Sequence, residues 1–224
     1  MRTCQPAARR ARRVRLVTLG SGLVTAVAVL VTALLLALPR AHRADPLAAR
    51  PGPEGVPVQA GRPLADPGTT ADGRAVDGIA CQTGEQVAYH VHVHLAVVVD
   101  GRPRPMPAGI GIAAPRQVQT TARGAFVDGG SCFYWLHTHA ADGIIHVESP
   151  SPRTYTLGDF FDIWGQPLSG SQVGPVRGRV TVFVDGHQRG RDPRAIALTA
   201  HREIQLAVGT PTPRPKRIGF PSGL

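Results

Sequence analysis

Lysine is nearly missing from this sequence: Lys216 stands beside 24 arginines. Because that one lysine lies in a proline-rich tail, Schiff-base and other lysine-nucleophile chemistry is excluded from the folded part of the chain. Methionine is equally scarce. Met106 is the only one after the first residue, which argues against a Met-rich copper carrier. Gly-x-Ser-x-Gly elbows, phosphate-binding loops, Gly-x-Gly-x-x-Gly fingerprints and Cys-x-x-Cys pairs are absent, removing the commonest signatures of serine hydrolases, nucleotide enzymes and thiol oxidoreductases.

The net charge of +10 is a sum of unlike pieces. Residues 1–43 carry eight Arg and no acid, and residues 44–78 carry three Arg against five acids. Residues 79–209 are nearly balanced, with eleven Arg against ten acids, and residues 210–224 add three positive charges. A nucleic-acid binder needs its positive charge on the recognition surface. Here the charge sits at the ends, so no nucleic-acid partner is expected.

The N-terminus accounts for most of the excess. Arg2, Arg9, Arg10, Arg12, Arg13 and Arg15 precede Leu16 to Leu38, 23 residues without a charged side chain. That run is long enough to cross a bilayer as a helix, and the positive-inside bias keeps the Arg cluster cytoplasmic. It exceeds a usual signal-peptide core, which favours an uncleaved anchor, although small residues in 37–49 leave cleavage open. The expected organisation is a cytoplasmic basic tail (1–15), a transmembrane signal-anchor helix (16–38), a Pro/Gly-rich flexible linker (39–78), an extracytoplasmic domain (79–209) and a flexible basic tail (210–224). The partner implied on this side is the cell membrane, crossed once. The linker assignment rests on seven Pro and six Gly between Pro39 and Gly78.

Outside the cytoplasm thiols tend to pair, and Cys81 and Cys132 are the only two cysteines beyond the apolar run. A bridge between them would contribute on the order of 4 kcal/mol in the chain-entropy model. Soft metal ligation by one or both is the competing reading.

Within residues 79–209 the pattern is mainly β, with α+β character: short β-branched runs separated by turn dipeptides. Val87 to Val99 meets Asp100-Gly101, Val180 to Val184 meets Asp185-Gly186, and Phe133 to His139 and Ile144 to Glu148 flank Asp142-Gly143. Glu203 to Val208 supplies a late alternating strand, and the likeness of Val97 to Arg102 and Val182 to His187 points to two related hairpins. Leu157 to Trp164 predicts one short helix, with Thr156 and Asp159 as its capping box and Gly165 as its stop. The expected architecture is a small antiparallel β-sheet sandwich or barrel-like domain carrying that helix.

What the sequence does have is histidine. Six of its nine histidines fall within 57 residues, as Tyr89-His-Val-His-Val-His94 and as His137, His139 and His146 with Glu148. Both clusters have strand period, so His90, His92 and His94 share one face, and any even loop through Asp142-Gly143 puts His137, His139, His146 and Glu148 on one face as well. A two-residue turn sets His139 opposite His146 and His137 opposite Glu148; a four-residue loop sets His137 opposite His146. Neighbouring imidazoles cannot readily all protonate, and several on one strand face give the nitrogen set of zinc or copper. The metal set read from the sequence is His90, His92, His94, His137, His139 and His146. Glu148 reads as a ligand, an acceptor fixing a tautomer, or a general base. The histidine faces continue into Phe133 and Trp135 on one strand and Ala96 and Val98 on the other, which predicts apolar walls. His187 and His201 read as turn or edge residues.

The runs Trp-Leu-His-Thr-His-x3-Gly-Ile-Ile-His-Val-Glu-Ser-Pro (135–150) and Thr-Leu-Gly-Asp-Phe-Phe-Asp-Ile-Trp-Gly (156–165), with the His-x-His-x-His strand, resemble uncharacterised His-rich exported or membrane-anchored prokaryotic proteins. That resemblance implies no established activity. The pattern His-x-His plus a later His also looks like the ligand pattern of carbonic anhydrases and cupins, although the cupin spacing is not met. Three functions remain open on sequence grounds. They are a membrane-anchored extracytoplasmic zinc- or copper-binding domain for metal handling or sensing, a zinc-dependent hydrolase or hydratase with metal-activated water and Glu148 as base, and a non-catalytic interaction module with a structural histidine network.

Overall fold

The computed structural model describes residues 51–58, 60–68, 72–190 and 192–224. The basic tail and apolar run at residues 1–38 lie outside the described residues. Among the described residues no helix is long and apolar enough to cross a membrane.

In chain order the strands are β1 (Cys81–Gln82), β2 (Tyr89–Val99), β3 (Arg102–Pro103), β4 (Gln117–Thr121), β5 (Gly124–Gly129), β6 (Phe133–Tyr134), β7 (Leu136–His137) and β8 (Ile144–Ser149). Helix α1 (Leu157–Trp164) follows. After it come β9 (Leu168–Ser169), β10 (Gln172–Val173), β11 (Val176–Arg177), β12 (Val180–Val184), β13 (His187–Arg189) and β14 (Arg202–Val208). The described residues thus form a mainly β fold with one short α-helix.

The main sheet runs β13-β12-β14-β2-β8-β7, with β3 paired to the end of β2. It is open, and the small β1-β6, β4-β5 and β9-β10-β11 sheets lie beside it. The described strands form no closed barrel, and the sheet is not purely antiparallel, because β14 runs parallel to β2, with Arg202 opposite Val93 and Val208 opposite Val99. The two hairpins expected from the repeated Val-x-Val-Asp-Gly pattern are β2-β3 and β12-β13. Their turns hold Asp100 and Gly101, and Asp185 and Gly186, all at positive φ, the conformation that two-residue hairpins require.

Alternation splits the sheet into two faces. Val93, Leu95, Val97, Leu136, Ile145, Val147, Ile204, Leu206 and Val208 join Leu157, Phe160, Phe161 and Trp164 of α1 in one buried cluster. The helix is capped as its sequence predicts. Thr156 accepts from the Asp159 amide, Asp159 accepts from the Thr156 amide, and Gly165 closes the end at φ 71°. Burying that apolar face leaves the histidine face as the other side of the same strands. The Cys81–Cys132 disulfide is formed, with a Cα–Cα distance of 5.4 Å, and it ties β1 beside β6.

The segments before and after residues 79–209 are not free of the domain. Val56 and Leu64 are buried, and Trp164 Nε1 donates to the carbonyl of Asp66. On the C-terminal side, Gln205 donates to the Pro213 carbonyl, Arg217 pairs with Glu203 at 2.8 Å, and the Ile218 amide donates to Glu203. The reading of 39–78 as a flexible linker and of 210–224 as a flexible tail therefore needs correcting for the described residues. Their few apolar residues, and polar groups of the sheet that would otherwise be buried without partners, dock them.

Candidate metal centre

The two histidine clusters meet because β8 lies between β2 and β7. Register sets His92 opposite His146 and His90 opposite Glu148 across β2-β8, and His137 opposite His146 across β7-β8. Three imidazoles therefore form a row across three strands, with centroids 4.5 Å apart for His92 and His146 and 5.4 Å for His146 and His137. The His137 pairing is that of the four-residue loop. His139 lies just past β7, its ring centroid 4.6 Å from that of His146.

Among the described residues, two groups of side chains on and beside this row could hold a metal ion: His137, His139, His146 and Glu148, all buried, and His90, His92 and His146. Within each group the ligand atoms lie within 4.8 Å of one another.

Backbone carbonyls decide the tautomers of the inner pair. His137 Nδ1 lies 2.8 Å from the Tyr134 oxygen and His139 Nδ1 lies 2.6 Å from the Val127 oxygen. A carbonyl only accepts, so both Nδ1 atoms carry the proton and donate it. Burial, then the neighbouring imidazoles, push His137 well below the usual histidine range and lower His139. Both directions favour the neutral rings, whose Nε2 atoms lie 3.1 Å apart, and Glu85 Oε1 stands 3.3 Å from that of His139. Two lone pairs facing each other repel unless a cation lies between them. Nitrogens bound to one tetrahedral zinc at about 2.0–2.1 Å stand about 3.3 Å apart, close to what this pair provides.

His146 is the opposite case. Burial lowers its affinity for a proton, but Glu148 at 3.2 Å from Nδ1 and Glu54 at 2.6 Å from Nε2 outweigh it and raise the pKa to about 9. Glu148 is held ionised down to about 2: burial works against this, and His146, His137 and His90 overcome it. Its Oε1 lies 3.0 Å from His90 Nε2 and its Oε2 3.8 Å from His137 Nε2. Asp142, beside Glu54, is pushed up to about 8 by burial and then by the charge of Glu54.

His94 is not in either group. Its Nε2 faces the Asp142 carbonyl at 3.2 Å, so that nitrogen is committed as a donor. Burial lowers both His94 and His92 to about 4, assisted at His92 by the charges of His146 and His90. Of the expected apolar walls, Phe133 stands edge-on to His137 at 5.6 Å, whereas Trp135 turns to Tyr155 at 6.3 Å. The strand is interrupted at Trp135, between β6 and β7, and alternation fails there. His187 is exposed on β13, and His201, whose amide donates to the His92 carbonyl, turns its ring to the Leu224 oxygen and stacks on Phe220; neither belongs to the two groups.

Glu54 and the β4-β5 hairpin escaped the sequence reading, and Asp142 reads there only as a turn residue. The hairpin supplies the Val127 carbonyl, and Phe126 stacks on His139 at 4.8 Å. Glu54 sits in a Pro/Gly-rich stretch with no periodicity to mark it. No known family, curated protein or solved structure matches this chain, so the donor set itself carries the functional argument.

Proposed function

We propose that this protein is a membrane-anchored, extracytoplasmic domain that binds zinc or copper and serves in metal handling or sensing. The ion is held by His137, His139, His146 and Glu148. The observation that carries this reading is the pair of buried imidazoles whose Nδ1 atoms are committed to the Tyr134 and Val127 carbonyls, which turns their Nε2 atoms, 3.1 Å apart, toward one point. Carbonyl-oriented histidines of this kind are what metal centres use to fix tautomer and ring direction. Export is supported by the Arg cluster ahead of residues 16–38 and by a disulfide suited to an oxidising compartment.

The hydrolytic alternative has less behind it. A general base works best with a pKa near the working pH, and Glu148, ionised down to about 2 and hydrogen-bonded to His146, is a poor proton acceptor. Its geometry suits a ligand better.

The test is elemental analysis of the full chain, purified without a His tag or chelator. Stoichiometric zinc or copper that disappears in His137→Ala, together with a lower Tm, is the expected result. His187→Ala should change neither. A folded protein without metal, whose Tm ignores added zinc and copper, would leave the histidines as a structural network.

A further inference from the structure

Six side chains, His90, His92, His137, His139, His146 and Glu148, make up the two overlapping groups on this face. A tetrahedral ion takes four ligands. The surplus is not scattered. It consists of a second imidazole pair, with Nε2 of His90 and Nε2 of His92 3.0 Å apart, repeating the spacing of the inner pair.

Glu148 stands between the pairs, its Oε1 shared by His90 and His146, whose Nδ1 is 3.2 Å away, and its Oε2 turned to the inner pair. Oε1 lies 3.0 Å from His90 Nε2, while Oε2, 3.8 Å from His137 Nε2, is buried with no hydrogen-bond partner. A buried carboxylate oxygen without a partner is costly, and this one is aimed at the inner pair. Resting on the single-ion reading above, we infer that the face holds two metal ions bridged by the Glu148 carboxylate. The inner ion takes His137, His139, His146 and Oε2. The outer ion takes His90, His92 and Oε1. Carboxylate-bridged pairs of ions are an established way to build a two-metal centre.

The two positions differ in kind. His137 of the inner pair is fully buried, whereas the His90 side chain is 35 % exposed. The inner ion is therefore retained, and the outer ion, reached from solvent, is the one taken up and handed over.

The test strips the full chain with chelator, reloads it with zinc chloride, removes excess by dialysis and counts zinc per chain. It then follows zinc release to a competing chelator. Two zinc ions per chain are expected, leaving in two phases at least about tenfold apart. The His90→Ala/His92→Ala double variant should hold one zinc and keep only the slow phase, and the milder His90→Gln should speed the fast phase alone. One zinc per wild-type chain, lost in His137→Ala but unaffected by changes at His90 and His92, overturns the two-ion centre and leaves the single-ion reading standing. No zinc in a folded wild-type chain overturns both. Two zinc ions leaving in one phase overturn the division into a retained and an exchangeable ion.

Discussion

Glu54 accepts a 2.6 Å hydrogen bond from Nε2 of His146 across 92 residues of sequence, and this contact makes the segment before the histidine strands part of the centre. Glu148 faces the other ring nitrogen. In the metal-free protein the imidazolium is thus held between two carboxylates, and each of the three groups needs the others.

Glu54→Gln keeps the shape and removes the charge. A charged hydrogen bond of this kind contributes roughly 1.5–3 kcal/mol, so the metal-free variant should be less stable by about that amount at pH 6.5. The pKa of His146 is raised to about 9 in the folded state, so its contribution is complete below the ordinary value of 6.5 and fades as pH rises through 9. Urea midpoints in the presence of chelator should therefore fall between pH 6.5 and 9 in the wild type and stay flatter in Glu54→Gln. Parallel slopes would mean that Glu54 does not hold the proton on His146.

The acid side runs the other way. His92 and His94 are lowered to about 4, chiefly by burial, so below pH 6.5 the unfolded chain takes up protons that the folded protein refuses. Metal-free stability should fall as pH drops from 6.5 to 4. His94→Gln, which retains a donor for the Asp142 carbonyl, should reduce that loss. An unchanged acid slope in His94→Gln would show that the ring protonates without hindrance.

How much of this was legible in the sequence depends on the range of each interaction. Helix α1 was readable to the residue, because Thr156, Asp159 and Gly165 act within one turn of it. The hairpins at Asp100-Gly101 and Asp185-Gly186 and the histidine faces were readable for the same reason, whereas the break at Trp135 was not. The adjacency of β2 and β8, the parallel β2-β14 pair and the docking of Glu54 join residues far apart in sequence and leave no local periodicity. His94 shows the limit within a legible strand: it shares the face of His92, yet its position beside Gly143 and the Asp142 carbonyl turns a prospective ligand into a donor.

Metal binding should expel a proton. His146 is protonated at neutral pH and must give up one nitrogen proton to become a ligand. Affinity for the inner ion should climb about tenfold per pH unit up to about pH 9, one proton per ion. Calorimetric titration with zinc in buffers of different ionisation heat measures that number directly. A value near zero would remove His146 from the ligand set and leave it as a counter-charge for Glu54 and Glu148.

Gly143 fixes how closely β8 approaches β2. Its carbonyl accepts from the Leu95 amide at 2.8 Å, its φ is 88°, and a Cβ there would stand 2.5 Å from the Leu95 oxygen and 3.0 Å from His94 Nε2. The left-handed backbone alone costs a non-glycine residue roughly 1–3 kcal/mol, and the overlap with a backbone oxygen adds to it, since that atom belongs to a packed strand. Gly143→Ala should lower Tm by about 5 °C or more. The strain also has a direction: relief requires β8 to move away from β2, which separates His146 from His92 while the β7-β8 pairing of His137 and His146 can persist. Metal bound through His90 and His92 should therefore weaken before metal bound through His137 and His139. A Tm and metal content equal to wild type would show that the β2-β8 contact is slack at this point and does not set the geometry of the centre.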